Sequence, residues 1–364
     1  MFDIVPIESY YPIYINLCFF LVLFTLFHTR ILNMNDQKNL SFIQISGYLL
    51  LISLILYIGQ RPIDYRFGDT INYYRTFKGY QHGNDIGKVG DYGWHVFMKG
   101  MSQIGSIHTF FTLCAIIYIF PLYRISKEFF KEYWYYAFVM FVISFSFWTY
   151  GVNGVRNGAA CSLFLWGVSY HKNKVVMGCL FFLATVFHKT LYLPIFAFLL
   201  TYLYNNPKVY FKGWLLTIPL SLVLGGVFIT LFTGLGFGDE RLAGYLTSES
   251  EAGTFSSTGF RWDFLFHSAF AVFSGWYFIF KRNFKDVLYF QLFNTYLICN
   301  GFWVLVIKAN FSNRFAYLSW FMMAIIIIYP LLKQQFFKNQ HFMIGKVMFI
   351  YFMFTYFMYY VYLG

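Results

Sequence analysis

The stretch Ser41-Phe42-Ile43-Gln44-Ile45-Ser46-Gly47-Tyr48-Leu49-Leu50-Leu51-Ile52-Ser53-Leu54-Ile55-Leu56-Tyr57-Ile58-Gly59-Gln60 runs for 20 residues without a charged side chain and stops at Arg61-Pro62. As an α-helix it is about 30 Å long, the thickness of a bilayer's hydrocarbon core. The rest of the chain repeats the pattern. Over 364 residues it is 59% hydrophobic, 25% aromatic and 12% charged, which is too little polar surface to cover a soluble globule. Similar runs lie at roughly 10–28, 41–60, 106–123, 134–151, 155–170, 174–187, 190–204, 213–234, 263–280, 287–307, 315–332 and 342–362. They predict an all-α integral membrane protein of about 12 transmembrane helices, a single polytopic membrane domain over residues 1–364.

Charge orients the threading. With the gaps at 29–40, 124–133, 171–173, 205–212, 281–286 and 333–341 on one side, 15 of the 27 Lys and Arg residues fall in them or at span ends facing them, against four acids, a face of +11. The other face carries 12 basic and 11 acidic residues, +1, and the two account for the net +12. The positive-inside rule puts the first face in the cytoplasm, so both termini are expected outside. The acidic start, with Asp3 and Glu8, fits this and lacks the basic n-region of a cleaved signal peptide. The basic balance is then a topology signal, and no nucleic-acid partner is expected. The 12 outer cations are not required by that rule and are the clue to function.

Familiar soluble chemistry is missing. Cys18, Cys114, Cys161, Cys179 and Cys299 all sit inside apolar runs without ligand spacing and read as small hydrophobes. Gly234, Gly236 and Gly238 follow no βα unit, so they read as a flexible connection, not a nucleotide loop. Two long outer segments, 61–105 and 235–262, interrupt the apolar pattern; connections of that length are usually functional or flexible. In the first, Trp94, Phe97, Met98 and Met101 have helical spacing, which predicts a helix from Tyr92 to Ile104 lying in the outer interface. Its Tyr, Trp, Asp, Asn and Arg side chains suit a saccharide platform or a solvated cap. The second, with Asp239, Glu240, Arg241, Glu249, Glu251, Arg261 and Asp263 among Gly, Ser and Thr, suits a movable lid or an inert loop.

Three short outer turns carry sharper signals: Gly151-Val152-Asn153-Gly154-Val155-Arg156-Asn157-Gly158, Phe187-His188-Lys189-Thr190, and Lys308-Ala309-Asn310-Phe311-Ser312-Asn313-Arg314-Phe315-Ala316-Tyr317. The spans around the first two hold only about 14 to 16 residues, too few to cross about 30 Å at 1.5 Å each. Their outer ends should be sunk below the membrane surface, placing Arg156, His188 and Lys189 at the bottom of an outward funnel. Ionisable groups at that depth mark function. Guanidinium forks and helix N-termini suit phosphate, so the expected ligand is a lipid-linked diphosphate sugar.

At these residues the chain resembles the EpsG family of polysaccharide polymerases, relatives of the Wzy O-antigen polymerases. Five stretches carry the resemblance: Gly68-Asp69-Thr70-Ile71-Asn72-Tyr73-Tyr74, Asp91-Tyr92-Gly93-Trp94, Val155-Arg156-Asn157-Gly158-Ala159-Ala160, Phe187-His188-Lys189-Thr190-Leu191, and Asn313-Arg314-Phe315-Ala316-Tyr317. Asn157 stands where the family has Gln, and Asp91 where it has Glu. The resemblance implies a bacterial inner-membrane glycosyltransferase of the metal-independent GT-C class, facing the periplasm. Such enzymes join repeat units carried on undecaprenyl diphosphate, the lipid-linked oligosaccharide being both donor and acceptor. Membrane lipid and a chain-length regulator protein are further expected partners, and no cofactor is expected. An O-antigen ligase with the same donor, or a non-enzymatic flippase, is the alternative; a span interior nearly free of charge speaks against a flippase.

Breaking the anomeric C–O bond builds charge on the diphosphate, which fixed cations stabilise. Arg156 and Arg314, each opening an outer helix, are the expected diphosphate ligands. Arg66, Arg75, Arg261 and Lys189 are further candidates for the same cavity, with Tyr73 and Tyr317 from the matching stretches as substrate contacts. Asp69 or His188 is the expected general base. Asp64, Asp69, Asp85 and Asp91 form no Asp-x-Asp pair, so no metal is expected.

Overall fold

The computed structural model describes residues 5–234, 259–309 and 312–363; most of the outer segment 235–262 expected as a lid or loop, and Asn310-Phe311 of the third outer turn, lie outside them. Every regular element among the described residues is helical. In chain order the α-helices are α1 (Tyr10–Ile31), α2 (Gln37–Gly59), α3 (Thr70–Gln81), α4 (Tyr92–Ile104), α5 (Ile107–Phe130), α6 (Trp134–Val142), α7 (Phe147–Val152), α8 (Val155–Ser169), α9 (Lys174–Phe187), α10 (Tyr192–Leu203), α11 (Pro207–Gly234), α12 (Trp262–Trp276), α13 (Val287–Leu305), α14 (Asn313–Trp320), α15 (Met323–Lys333) and α16 (Gln340–Met358). Seven described segments are long and apolar enough to cross a membrane: Ile7–Ile31, Gln37–Gly59, Ile107–Val142, Pro207–Phe232, Trp262–Lys281, Asn313–Lys333 and Gln340–Val361. Two shorter apolar helices, Lys174–Phe187 and Lys189–Leu203, accompany them. An integral membrane protein is built in this way, with apolar side chains such as Leu17, Phe20, Phe24 and Phe27 left on the outside of α1.

Local chemistry sets several of the starts. Asp36, Ser106, Asn173 and Asp286 each accept a backbone N–H at the head of α2, α5, α9 and α13, which satisfies one of the donors every helix N-terminus leaves open.

The chain divides into two compact units, residues 1–189 with 331–364, and residues 190–330. In the first, α5 packs on α2 and α8, α8 on α9, and α1 on α16. Its two ends are separated by the length of α2, 23 residues or about 34 Å. At the N-terminal end of α2, Gln44 donates to the Glu132 carbonyl (3.0 Å) and His341 Nδ1 lies 2.6 Å from the Leu32 carbonyl. Three of the sequence gaps, 29–40, 124–133 and 333–341, thus meet there. At the other end the segment after α2 folds onto α7 and α8. The second unit packs α13 against α11, α10 and α14, around a buried cluster in which Asn300 accepts from Trp214 (2.7 Å) and donates to Ser268 (3.1 Å) and Ser319 (3.0 Å).

Candidate active site

The first unit gathers its polar groups beyond the C-terminal end of α2. Arg61, almost fully buried, donates to the Ile58 carbonyl (2.7 Å), Thr70 Oγ1 (3.1 Å) and the Val152 carbonyl (3.2 Å), with its guanidinium 4.3 Å from the Phe111 ring centroid. Burial lowers its pKa to about 10, so it keeps its charge at neutral pH. One side chain thereby ties the end of α2 to α3 and α7.

The Gly68-Asp69 step is fixed next. Gly68 has φ +59°, and a Cβ there would lie 2.1 Å from Asn153 Oδ1, so no other residue fits. That approach lets Asn153 Oδ1 accept the Asp69 N–H at 3.0 Å. Asp69 heads α3 with its carboxylate exposed, 3.4 Å from Asn72 Nδ2.

Arg156 lies in the first turn of α8. Its Nη1 forms an ion pair with Asp91 Oδ2 at 3.0 Å, while Asp91 Oδ1 accepts the Lys189 N–H at 3.1 Å. The Asp91 side chain is 6% exposed and that of Arg156 25%; the acid is therefore an internal strut, and the arginine side chain keeps part of its surface exposed. Asp91 is brought there by Gly93, where a Cβ would lie 1.9 Å from Val186 Cγ1, so α4 can approach the last turn of α9 only with glycine. His188 caps that turn in an extended conformation, half-buried, and Lys189 follows with its side chain exposed.

Around this pair stand Tyr73 and His95. The Tyr73 ring packs on Trp94 at 5.7 Å, and burial raises its pKa to about 12 against the pull of Arg156. His95 Nδ1 is 2.8 Å from the Tyr80 hydroxyl; burial, then Arg156, lower its pKa, with Asp91 opposing. The interface stripe expected on the outer helix turns inward: Trp94 and Met98 are fully buried, with Trp94 against Phe110 and Phe187. Arg156, Lys189, Tyr73 and Asp69 therefore share one end of the first unit, and His188 adjoins them through Lys189.

Other candidates are engaged differently. Arg66 is exposed and paired with Glu8 at 2.8 Å, and its hydrogen bonds to Tyr65 and Glu8 raise its pKa. Arg75, on α3, is exposed. Three candidates belong to the second unit. Arg261 forms a two-pronged pair with Asp263 (2.9 and 2.6 Å) over the Phe264 ring. Arg314 is exposed in the first turn of α14, and Tyr317, one turn on, is buried beside Phe321 at 6.1 Å. Among the described residues no three His, Cys, Asp or Glu side chains gather as metal ligands would. Spacing singled out neither Arg61 nor His95, and gave Asp91 no role. An acid immediately before a predicted outer helix, facing a recessed arginine, was the available signal.

Residues 47–364 match the model of the EpsG family. No curated protein matches the chain, and no solved structure does.

Proposed function

The chain belongs to the EpsG family, and on that footing we propose that it is a polysaccharide polymerase of the bacterial inner membrane. It joins undecaprenyl-diphosphate-linked oligosaccharide units at the periplasmic face, by metal-independent glycosyl transfer. The observation that carries this reading is Arg156: a guanidinium at a helix start, paired with a nearly buried carboxylate and still a quarter exposed along its side chain. A cation fixed before the reaction stabilises the diphosphate as the anomeric C–O bond breaks, without reorganisation at that moment. The bond electrons pass to the diphosphate, and the acceptor hydroxyl attacks the anomeric carbon and gives up its proton. Asp69, exposed at the head of α3, or His188 takes that proton. Arg314 is proposed, on its sequence stretch, as a second diphosphate ligand, with Arg66, Arg75, Arg261, Lys189, Tyr73 and Tyr317 as substrate contacts.

We further propose the twelve-span threading, both termini outside, and a GT-C-like architecture. The lengths of α8 and α9, 15 and 14 residues, support a recessed site, since each reaches only about 21–23 Å. The test is polymer length in a strain carrying Arg156→Lys or Arg314→Lys as its only copy. A lysine keeps the charge but lacks the fork, so each variant should reach the membrane and make no polymer. Normal ladders from Arg156→Ala and Arg314→Ala would refute the assignment. Loss of attachment to a lipid A-core acceptor with normal chain lengths would point to a ligase.

A further inference from the structure

A second polar site occupies the opposite end of the first unit, across the length of α2. There the end of α1, the turn after it, Tyr133, the end of α15 and the start of α16 enclose a cavity of about 440 Å³. Arg30, Lys333 and Lys338 line it, and no Asp or Glu does. The turn that presents two of these cations is stapled by one buried side chain. Gln340 Nε2 donates to the Leu331 and Gln334 carbonyls (2.6 and 2.9 Å), and its Oε1 accepts the Phe336 and Phe337 N–H groups (3.1 and 3.2 Å). Arg30 lies 5.3 Å from the Phe342 ring centroid and Lys333 5.9 Å from that of Phe130.

His341 forms part of the wall, buried, and its hydrogen bonds close fully only with a protonated ring; a neutral ring leaves one of them unmade. Its Nδ1 is 2.6 Å from the Leu32 carbonyl, which only accepts, so Nδ1 carries a proton. Its Nε2 is 2.5 Å from the Tyr136 hydroxyl, which also lies 2.9 Å from Asn39 Oδ1. The Asn39 amide nitrogen donates to the Met34 carbonyl (2.7 Å), which turns its oxygen to Tyr136 and to His28 Nε2 (2.9 Å). A tyrosine has one hydroxyl hydrogen. Given to Asn39, it leaves His341 Nε2 to donate as well, making an imidazolium. Given to His341, it leaves two oxygens facing each other with no hydrogen between them. Beside the ring lie His28 from α1, ring centroids 6.3 Å apart, and Tyr136 from α6; Arg30, Tyr133, Lys333 and Lys338 line the same cavity, and no acid does. A buried imidazolium is favoured when an anion lies beside it.

We propose that this cavity binds a phosphate-bearing anion at the cytoplasmic face, held by Arg30, Lys333 and Lys338 and taken up with a proton on His341. Phosphate suits it because three positively charged side chains line one small volume. An anionic phospholipid headgroup and a soluble phosphate ester share that chemistry, and basic pockets beside membrane helices are used for such headgroups.

The full chain in phosphatidylcholine nanodiscs is titrated separately with phosphatidylglycerol, scored as retained adducts by native mass spectrometry, and with inorganic pyrophosphate, scored by thermophoresis. Binding of either probe, weakened about tenfold or more in Arg30→Gln and Lys338→Gln, supports the site. Phosphatidylglycerol alone assigns the headgroup, and pyrophosphate alone the soluble ester. Arg30 and Lys338 are exposed, so these variants should fold. Affinity for the probe that binds should rise as pH falls from about 8 to about 6, and this slope should flatten in His341→Gln and in Tyr136→Phe, which keeps the ring. Absence of binding by both probes, or equal binding by the variants, overturns the site; a flat slope in the unaltered protein overturns the proton coupling.

Discussion

Asp91→Asn removes one charge and keeps the shape of the side chain that holds Arg156. The amide oxygen can still accept the Lys189 N–H, as Oδ1 does now at 3.1 Å. Its NH₂ group then faces Arg156 Nη1, donor against donor, where the structure has a 3.0 Å ion pair. Hydrogen bonds to charged groups contribute about 1.5–3 kcal/mol. Because Arg156 is a quarter exposed, solvent screening sets the coupling near the bottom of that range, about 1.5 kcal/mol, which is about tenfold in a rate or an equilibrium. The assay is a double-mutant cycle of Asp91→Asn and Arg156→Gln on the unfolding midpoint of the purified protein, where about 1 kcal/mol moves a domain of this size by about 2–4 °C. Polymer yield from Asp91→Asn in cells, at equal membrane level, should fall about tenfold. If the double variant's shift is the sum of the single shifts to within about 0.3 kcal/mol, or if Asp91→Asn makes polymer at the normal yield, Asp91 does not position Arg156.

Three further outcomes are expected. With the exposed Cys179 removed, a cysteine at Asp85 should react with a membrane-impermeant reagent from outside and cysteines at Lys131 and Lys338 should not; periplasmic labelling at Lys131 would invert the threading. Polymerisation by purified protein should survive a chelator, and activity lost to chelator but restored by magnesium or manganese would contradict the Arg-based reading. Asp69→Asn or His188→Gln, whichever removes the base, should lower the rate about 100-fold or more; retention within a few-fold by both leaves the proton to solvent.

The membrane character was legible because it is a property of runs: 20 uncharged residues before Arg61 fix a helix whatever surrounds them. The helix at 92–104 was legible for the same reason, since Trp94, Phe97, Met98 and Met101 repeat at helical spacing, and it forms over Tyr92–Ile104. Its direction was not. An apolar stripe specifies burial without saying whether lipid or protein covers it, and here Phe110 and Phe187, distant in sequence, cover Trp94. Length limited the span count in the same way: α8 and α9 are apolar but short, and only their neighbours can say how deep they sit.

At the site the arginines were visible individually, because a cation beside apolar spans has no cheap explanation in a membrane. Their pairings were not visible, since each joins residues far apart in the chain: Asp91 with Arg156 and Lys189, Arg66 with Glu8. Those pairings divide otherwise similar arginines by what they can do. Arg66 and Arg261 each face a carboxylate on a neighbouring surface or two residues along, so a ligand must displace that partner to gain the charge. Arg61 gives its donors to two backbone carbonyls and a hydroxyl and acts as a tie between helices. Arg156 is paired with a nearly buried acid and keeps a quarter of its side chain exposed, and a cation fixed in this way before any reaction is the kind that can stabilise charge developing beside it.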